Sequence, residues 1–406
     1  MEKSLTQFRS AIWQKIGLLG SLYVSQHIPL TFVYDAIPVF LRQQNVSLRT
    51  LGLLQLLALP LVFKFLWAPL IDRYGVTRWG HYRFWILCFQ LSLGVAIALL
   101  AFLNITQQFT FLLLGLLLVS LLSASQDIAT DALTIGLLSP AERGFGNGIQ
   151  RGGNSLGAII GGGGMLLLLS YWGWRTTLLV MATVLLLAVI PIARHCERVI
   201  KSTTSSPPSF RRLISVYRRP GMGRWLLILI LYSIGPYMAL TMFRPLLVDL
   251  GLSMGEIGLL LGVVSYGAGL LGAVVAGFNI SRLGRKQALV TFSALQGIAI
   301  VAYCLPALGF TQLPILYLVA TIAQFINGMA MTALFTVMMD NSEAATAGTD
   351  YTVQSSVVYI SGIVGATFSG VIAEAIGYRG VFAVAFGFAV ITVLAISYLL
   401  RQSSSF

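Results

Sequence analysis

The chain has 406 residues, of which 57% are hydrophobic and only 10% charged, and its mean hydropathy is +0.86. Soluble domains carry about 25% charged residues, so this composition excludes a water-soluble particle and indicates an all-α polytopic membrane protein. The formal net charge of +13 raises nucleic-acid binding, which the placement of the charges argues against.

Taken in chain order, apolar runs predict twelve spans, at 12–40, 49–71, 84–103, 109–137, 144–170, 174–193, 222–248, 253–278, 287–308, 313–339, 348–375 and 379–400. Each suits a hydrocarbon core that takes roughly 20 helical residues to cross. The first run is long and lacks a small-residue cleavage site, so it reads as a retained span rather than a signal peptide. With both termini placed inside, Arg42, Arg49, Arg175 and Arg379 fall outside. Lys64, Arg151 and Arg244 lie in or beside the membrane, which leaves 19 of the 26 Lys and Arg residues on the inner side. This is the positive-inside pattern. The basic excess therefore reports topology, with lipid and not nucleic acid as the partner.

Between the sixth and seventh spans lies RHCERVIKSTTSSPPSFRRLISVYRRPGMGR (194–224), the one long polar connection. It divides an N-terminal six-helix bundle (1–193) from a C-terminal one (222–406), with 194–221 as a cytoplasmic linker. The halves echo each other. An offset of 204 lays RGFGNGIQRGGNSLGAIIGG on AGTDYTVQSSVVYISGIVGA, so that Gly144 meets Gly348, Gln150 meets Gln354 and Gly161 meets Gly365. The same offset carries Arg175 of GWR onto Arg379 of GYR, while Pro38 corresponds to Pro245.

The loop after span two contains Asp72, Arg73, Gly75 and Arg78 in APLIDRYGVTRWGHYR, and the loop after span eight reads GFNISRLGRK. Both resemble the loop signature of the major facilitator superfamily, G-x-x-x-D-R/K-x-G-R/K-R/K, with Ala68 and Ser281 as departures. The aspartate of such a tight basic turn can cap a helix N-terminus or pair with a basic residue across the halves. Two pseudo-symmetric six-helix halves of twelve transmembrane helices are that superfamily's fold.

Span five holds ten glycines between Gly144 and Gly164, with Gly153, Gly157 and Gly161 at four-residue spacing. Small residues let helix backbones approach closely in lipid. Tight packing of span five, and its rocking together with span eleven (Gly362, Gly365, Gly370), are compatible readings.

Asp127 and Asp131 share a face of span four, although an acid at the centre of a spanning helix costs about 2.5–3.5 kcal/mol on insertion scales. Arg151 and Asn154 of span five reach a similar depth, so one aspartate can pair with Arg151. A structural ion pair, a proton-coupling carboxylate and a substrate contact all remain open for these residues. Span one offers Tyr23, Gln26, His27, Tyr34 and Asp35. Span seven offers Tyr232, Tyr237 and Arg244, and span ten Gln324 and Asn327, with Asp340 near its inner end. In this architecture spans one, four, seven and ten line the central cavity. That makes Tyr23, Gln26, His27, Tyr34, Tyr232, Tyr237, Gln324 and Asn327 the expected substrate contacts, with Asp35 and Arg244 as an outer gate pair.

Cys88, Cys196 and Cys304 lack C-x-x-C or His spacing, so neither a metal site nor a disulfide framework is expected. There is no Walker motif, G-x-S-x-G or H-E-x-x-H. A transporter without a cofactor, rather than an enzyme, is the expectation.

KFLWAPLIDRY (64–74), SASQDIATDAL (123–133) and ERGFGNGIQRGGNSLGAIIGGG (142–163) resemble one subgroup of the superfamily. It contains muropeptide permeases of the AmpG type, acetyl-CoA transporters and siderophore permeases of the FptX/RhtX type. The compact length and the QDIATDAL wording look most like the siderophore permeases. The resemblance implies a proton-driven monomeric importer working by alternating access in the bacterial inner membrane, carrying an iron–siderophore complex. A permease for a muropeptide or other amphiphilic anion, or an exporter of the same fold, is the alternative.

Overall fold

The structure is a computed structural model that describes residues 2–43, 54–75, 79–105, 107–195, 197, 219, 221–252, 254–343 and 346–399. Among the described residues, nine helices are long and apolar enough to cross a membrane. Two of them, Arg143–Arg194 (52 residues) and Ala347–Leu399 (53 residues), are each a pair of helices joined at a glycine. Gly173 has φ 71° and ψ −178°, and Gly377 has φ 72° and ψ 176°. These are conformations that only glycine adopts without strain. Each break separates two expected spans, five from six and eleven from twelve. The pair also sits at the 204-residue offset read from the sequence.

Span four runs Phe109–Leu137 and span ten Leu313–Asp340. Span three is Tyr82–Leu100, span seven Met222–Asp249 and span nine Arg285–Ala307. Span two is less regular. It passes from a 3₁₀ turn (Leu54–Ala58) through a short helix (Leu59–Phe63) and a second 3₁₀ turn (Lys64–Leu66) into Ala68–Arg73. Span one runs from Glu2 to Thr31 and carries Pro29, whose missing N–H weakens the helical ladder. A π turn follows at Phe32–Ala36. Span five widens into a second π turn at Ile159–Gly164, and span eight into a third at Gly258–Val264. Such turns mark points where a helix yields.

The chain forms two compact units that follow the sequence halves with one exchange. Residues 140–152 belong to the second unit, and 342–352 to the first. The expected linker, 194–221, falls almost wholly outside the described residues, as do Arg78 and Cys196. In the first unit, Ile28, Phe32, Leu93, Leu116 and Met181 build one apolar cluster, and Leu18, Ile71, Ile128 and Ile192 another. In the second unit, Phe243, Tyr303 and Phe382 stack in sequence, with centroids 4.5 and 5.7 Å apart, among Leu247, Leu316 and Ala385.

The glycines set the closest helix contacts. Gly161 lies on the backbone of Ile28 with no room for a Cβ, and Gly365 lies on Ile234 in the same way, where a Cβ would stand 2.8 Å from the carbonyl oxygen. Span five thus grips span one in the first unit, and span eleven grips span seven in the second.

Candidate functional site

Polar side chains inside an apolar bundle must satisfy one another, because an unpaired polar group there keeps its full desolvation cost. In the first unit this requirement assembles residues of spans one, two and four. Lys64, 1% exposed, forms an ion pair with Oδ2 of Asp127, and the Gln26 amide donates to Oδ1 of the same carboxylate. One turn further along span four, the Tyr23 hydroxyl lies 3.0 Å from Oδ1 of Asp131 and 3.0 Å from Oγ1 of Thr134. Thr134 in turn donates to the Thr130 carbonyl at 2.8 Å. Behind this row, the Gln126 amide donates to Gln90, whose own amide donates to the Leu185 carbonyl at 2.9 Å. Trp67 holds Ser125 at 3.0 Å.

The cation expected beside the aspartates was Arg151; the cation found is Lys64. Span two puts Lys64 on the face turned to span four, whereas the Arg151 guanidinium lies over the Phe335 ring in the second unit, 5.1 Å from its centroid. Lys64 stood in the sequence as a single lysine in an apolar run, which was the signal available for it.

The other expected residues divide by environment. Tyr23 and Tyr232 are each 1% exposed. Tyr232 donates to the Ala330 carbonyl at 3.1 Å and so ties span seven to span ten. Tyr34 is half-buried and donates to the Leu57 carbonyl at 2.9 Å. His27 is half-buried and packs on Gly157. Tyr237 lies across Gly362. Gln324 accepts from Asn327 at 3.4 Å, and Asn327 accepts from Gln296 of span nine at 3.2 Å; Gln296 was not foreseen. Asp35 is exposed within the π turn of span one, and Arg244 is exposed on span seven.

A charged cluster closes the end of span ten. Asp340 receives Arg143 Nη1 at 2.8 Å and Arg285 Nε at 2.6 Å, while Arg285 also reaches the Pro140 carbonyl. In the first unit, Asp72 does what the loop signature allows: it caps a helix. Its carboxylate accepts the backbone N–H groups of Gly348 (3.1 Å) and Thr349 (2.7 Å), the Thr349 hydroxyl (2.5 Å) and the Tyr82 hydroxyl (2.8 Å). Burial raises the Asp72 carboxyl above its ordinary value, and the hydrogen bonds from Thr349 and Tyr82 oppose that rise. Arg73 is exposed over the Tyr74 ring, and Gly75 stands against the His81 imidazole.

Helical bundles with an ion pair buried at the centre of the first unit fit a solute carrier, and comparison with known families decides which kind. The family model described as Major Facilitator Superfamily matches residues 22–366 and again 248–405.

The chain belongs to the Major Facilitator Superfamily.

It is a multi-pass membrane transporter of that superfamily. Its fold is similar to that of FucP, a superfamily transporter in the outward conformation. The TM-score is 0.73 at 16% identity, covering 96% of this chain and 99% of FucP. A bacterial homologue of the iron transporter ferroportin in its outward-facing state gives a TM-score of 0.70 at 15% identity, over 96% and 99% of the two chains. At such identities the likeness concerns the fold alone. In sequence, the chain is 28% identical over 378 residues to the anhydromuropeptide permease of Escherichia coli K12, covering 92% of this chain and 76% of the relative. It is 22% identical to the AmpG 1 transporter of Rickettsia bellii over 362 residues, 84% and 88% of the two chains. These relatives favour the muropeptide alternative over the siderophore expectation, which is not carried further.

Proposed function

We propose that this superfamily transporter is a secondary active permease. It imports an amphiphilic organic anion of the anhydromuropeptide class across the bacterial inner membrane, by alternating access and at the expense of the proton gradient. The substrate class draws on the named activity of the Escherichia coli relative. The observation that carries the mechanism is the buried Lys64–Asp127–Gln26 cluster with Asp131 and Tyr23 one turn away.

A carboxylate held by a lysine can exchange that partner for a proton. Protonation of Asp127 neutralises the carboxylate that balances the Lys64 ammonium, so the ion pair between spans two and four is weakened, while the Gln26 amide still has an oxygen to donate to. Unmatched atoms at the same place support this role. Gln26 Oε1 and Thr130 Oγ1 are buried without a hydrogen-bond partner among the described residues, and each such atom calls for a reason besides folding. Asp127 and Asp131 are the proton sites in this reading. Gln26, His27, Tyr34, Tyr237, Gln324 and Asn327 face the solute, and Tyr23 and Tyr232 hold the helices that present them. Asp35 and Arg244 act at the outer gate, while Asp72 and Arg73 set the loop.

The test is uptake of a radiolabelled anhydro-muramyl tripeptide into proteoliposomes containing the purified chain. Accumulation that requires an imposed proton gradient supports the reading, and absence of accumulation in either gradient direction rejects it.

A further inference from the structure

We propose that Arg151 receives a carboxylate of the transported solute, in a site that it forms with Phe335 and Tyr237 inside the second unit. The inference deepens the amphiphilic-anion reading and rests on it.

Arg151 sits about two turns into the helix that begins at Arg143, half-buried among apolar helices. Three other described cations have acids: Lys64 has Asp127, and Arg143 and Arg285 share Asp340; Arg244 has none among the described residues, but it is exposed where Arg151 is half-buried. Among the described residues Arg151 has no carboxylate within ion-pair distance. Its neighbours are the face of Phe335, 5.1 Å from guanidinium carbon to ring centroid, and the phenol of Tyr237, on which its charge acts. A guanidinium is costly inside a membrane and is kept there for function. The ring face compensates it in part.

Among the described residues the Arg151 guanidinium makes no hydrogen bond, so its N–H donors remain for another partner. Their fork matches the two oxygens of a carboxylate. The aromatic walls suit the apolar part of an amphiphilic solute. Tyr237 is laid down by Gly362, where a Cβ would stand 3.0 Å from its ring.

The experiment compares thermal unfolding of the full-length wild type, Arg151→Lys and Arg151→Gln with two probes, an anhydro-muramyl tripeptide and its methyl ester. A ligand of the native state raises the unfolding temperature by mass action. Wild type is expected to respond to the acid and far less to the ester. Arg151→Gln should bind the acid about tenfold or more weakly and no longer distinguish it from the ester, with Arg151→Lys between. Equal responses of wild type to acid and ester, or an unchanged acid response in Arg151→Gln, overturn the assignment and leave the muropeptide reading standing. No response of wild type to either probe overturns both.

Discussion

Lys64 and Asp127 are bonded to each other inside the first unit, the lysine side chain 1% and the aspartate 16% exposed. The lysine is sealed, while the carboxylate keeps one side within reach and offers its second oxygen to Gln26. Breaking a buried pair from one side strands a charge, which costs about 3–5 kcal/mol in protein interiors. Lys64→Met and Asp127→Asn are each expected to lower unfolding stability by about 3 kcal/mol. The double variant should lose clearly less than the sum. A double-mutant cycle of chemical denaturation checks the coupling, and strict additivity would mean that the two residues do not act as a pair.

Tyr23 holds Asp131 through its hydroxyl alone. Tyr23→Phe keeps the ring and removes the hydroxyl that Asp131 and Thr134 share, at an expected cost of about 1–3 kcal/mol. The unfolding midpoint reads this directly, and a loss of less than a few tenths of a kcal/mol would count against the bond.

The two matched glycine contacts predict matched penalties. Gly161→Ala and Gly365→Ala each push a methyl group into a backbone carbonyl, and overpacking of this kind costs about 1–3 kcal/mol. Gly163 has nothing within 4 Å of its would-be Cβ, so Gly163→Ala should be neutral or stabilising by up to about 1 kcal/mol. Comparing the three unfolding midpoints tests whether contact, rather than helix propensity, fixes these positions.

Asp72 caps the helix that begins at Ala347, so Asp72→Ala should cost at least about 1–2 kcal/mol. The pH dependence has a definite sign. Burial holds the native carboxyl above the unfolded value of 3.8, so the native state binds the proton more readily, and this group's contribution to stability falls as pH rises from 3.8 through the native value. Asp72→Asn removes that slope, which unfolding measured across the acidic range would show as a flatter profile than wild type.

Much of the fold was legible because hydropathy reports it directly. Span four was read at 109–137, the bounds that the helix Phe109–Leu137 has. The GWR and GYR echoes anticipated the breaks at Gly173 and Gly377, since only glycine takes that backbone without strain. The partner of Asp127 was not legible. Counted at about 1.5 Å per residue from the predicted inner ends of their spans, Lys64 and Arg151 both lie near 10 Å deep and Asp127 near 15 Å, so depth admits either cation. Depth says nothing of azimuth, and it is the rotation of each helix about its own axis that turns Lys64 towards Asp127. The hydroxyl partners of Tyr23 and Tyr232, Asp131 and the Ala330 carbonyl, are likewise set by packing that residue type alone does not reveal.

The central claim is that Asp127, gripped by Lys64 and Gln26, is the carboxylate whose protonation drives transport. The most direct measurement is proton flux, followed with a pH-sensitive dye, when an anhydro-muramyl tripeptide is added to proteoliposomes of wild type, Asp127→Asn and Asp131→Asn. The account predicts tripeptide-dependent proton entry in wild type and its loss in Asp127→Asn, with tripeptide exchange down its own gradient retained. Proton entry persisting undiminished in Asp127→Asn would contradict it.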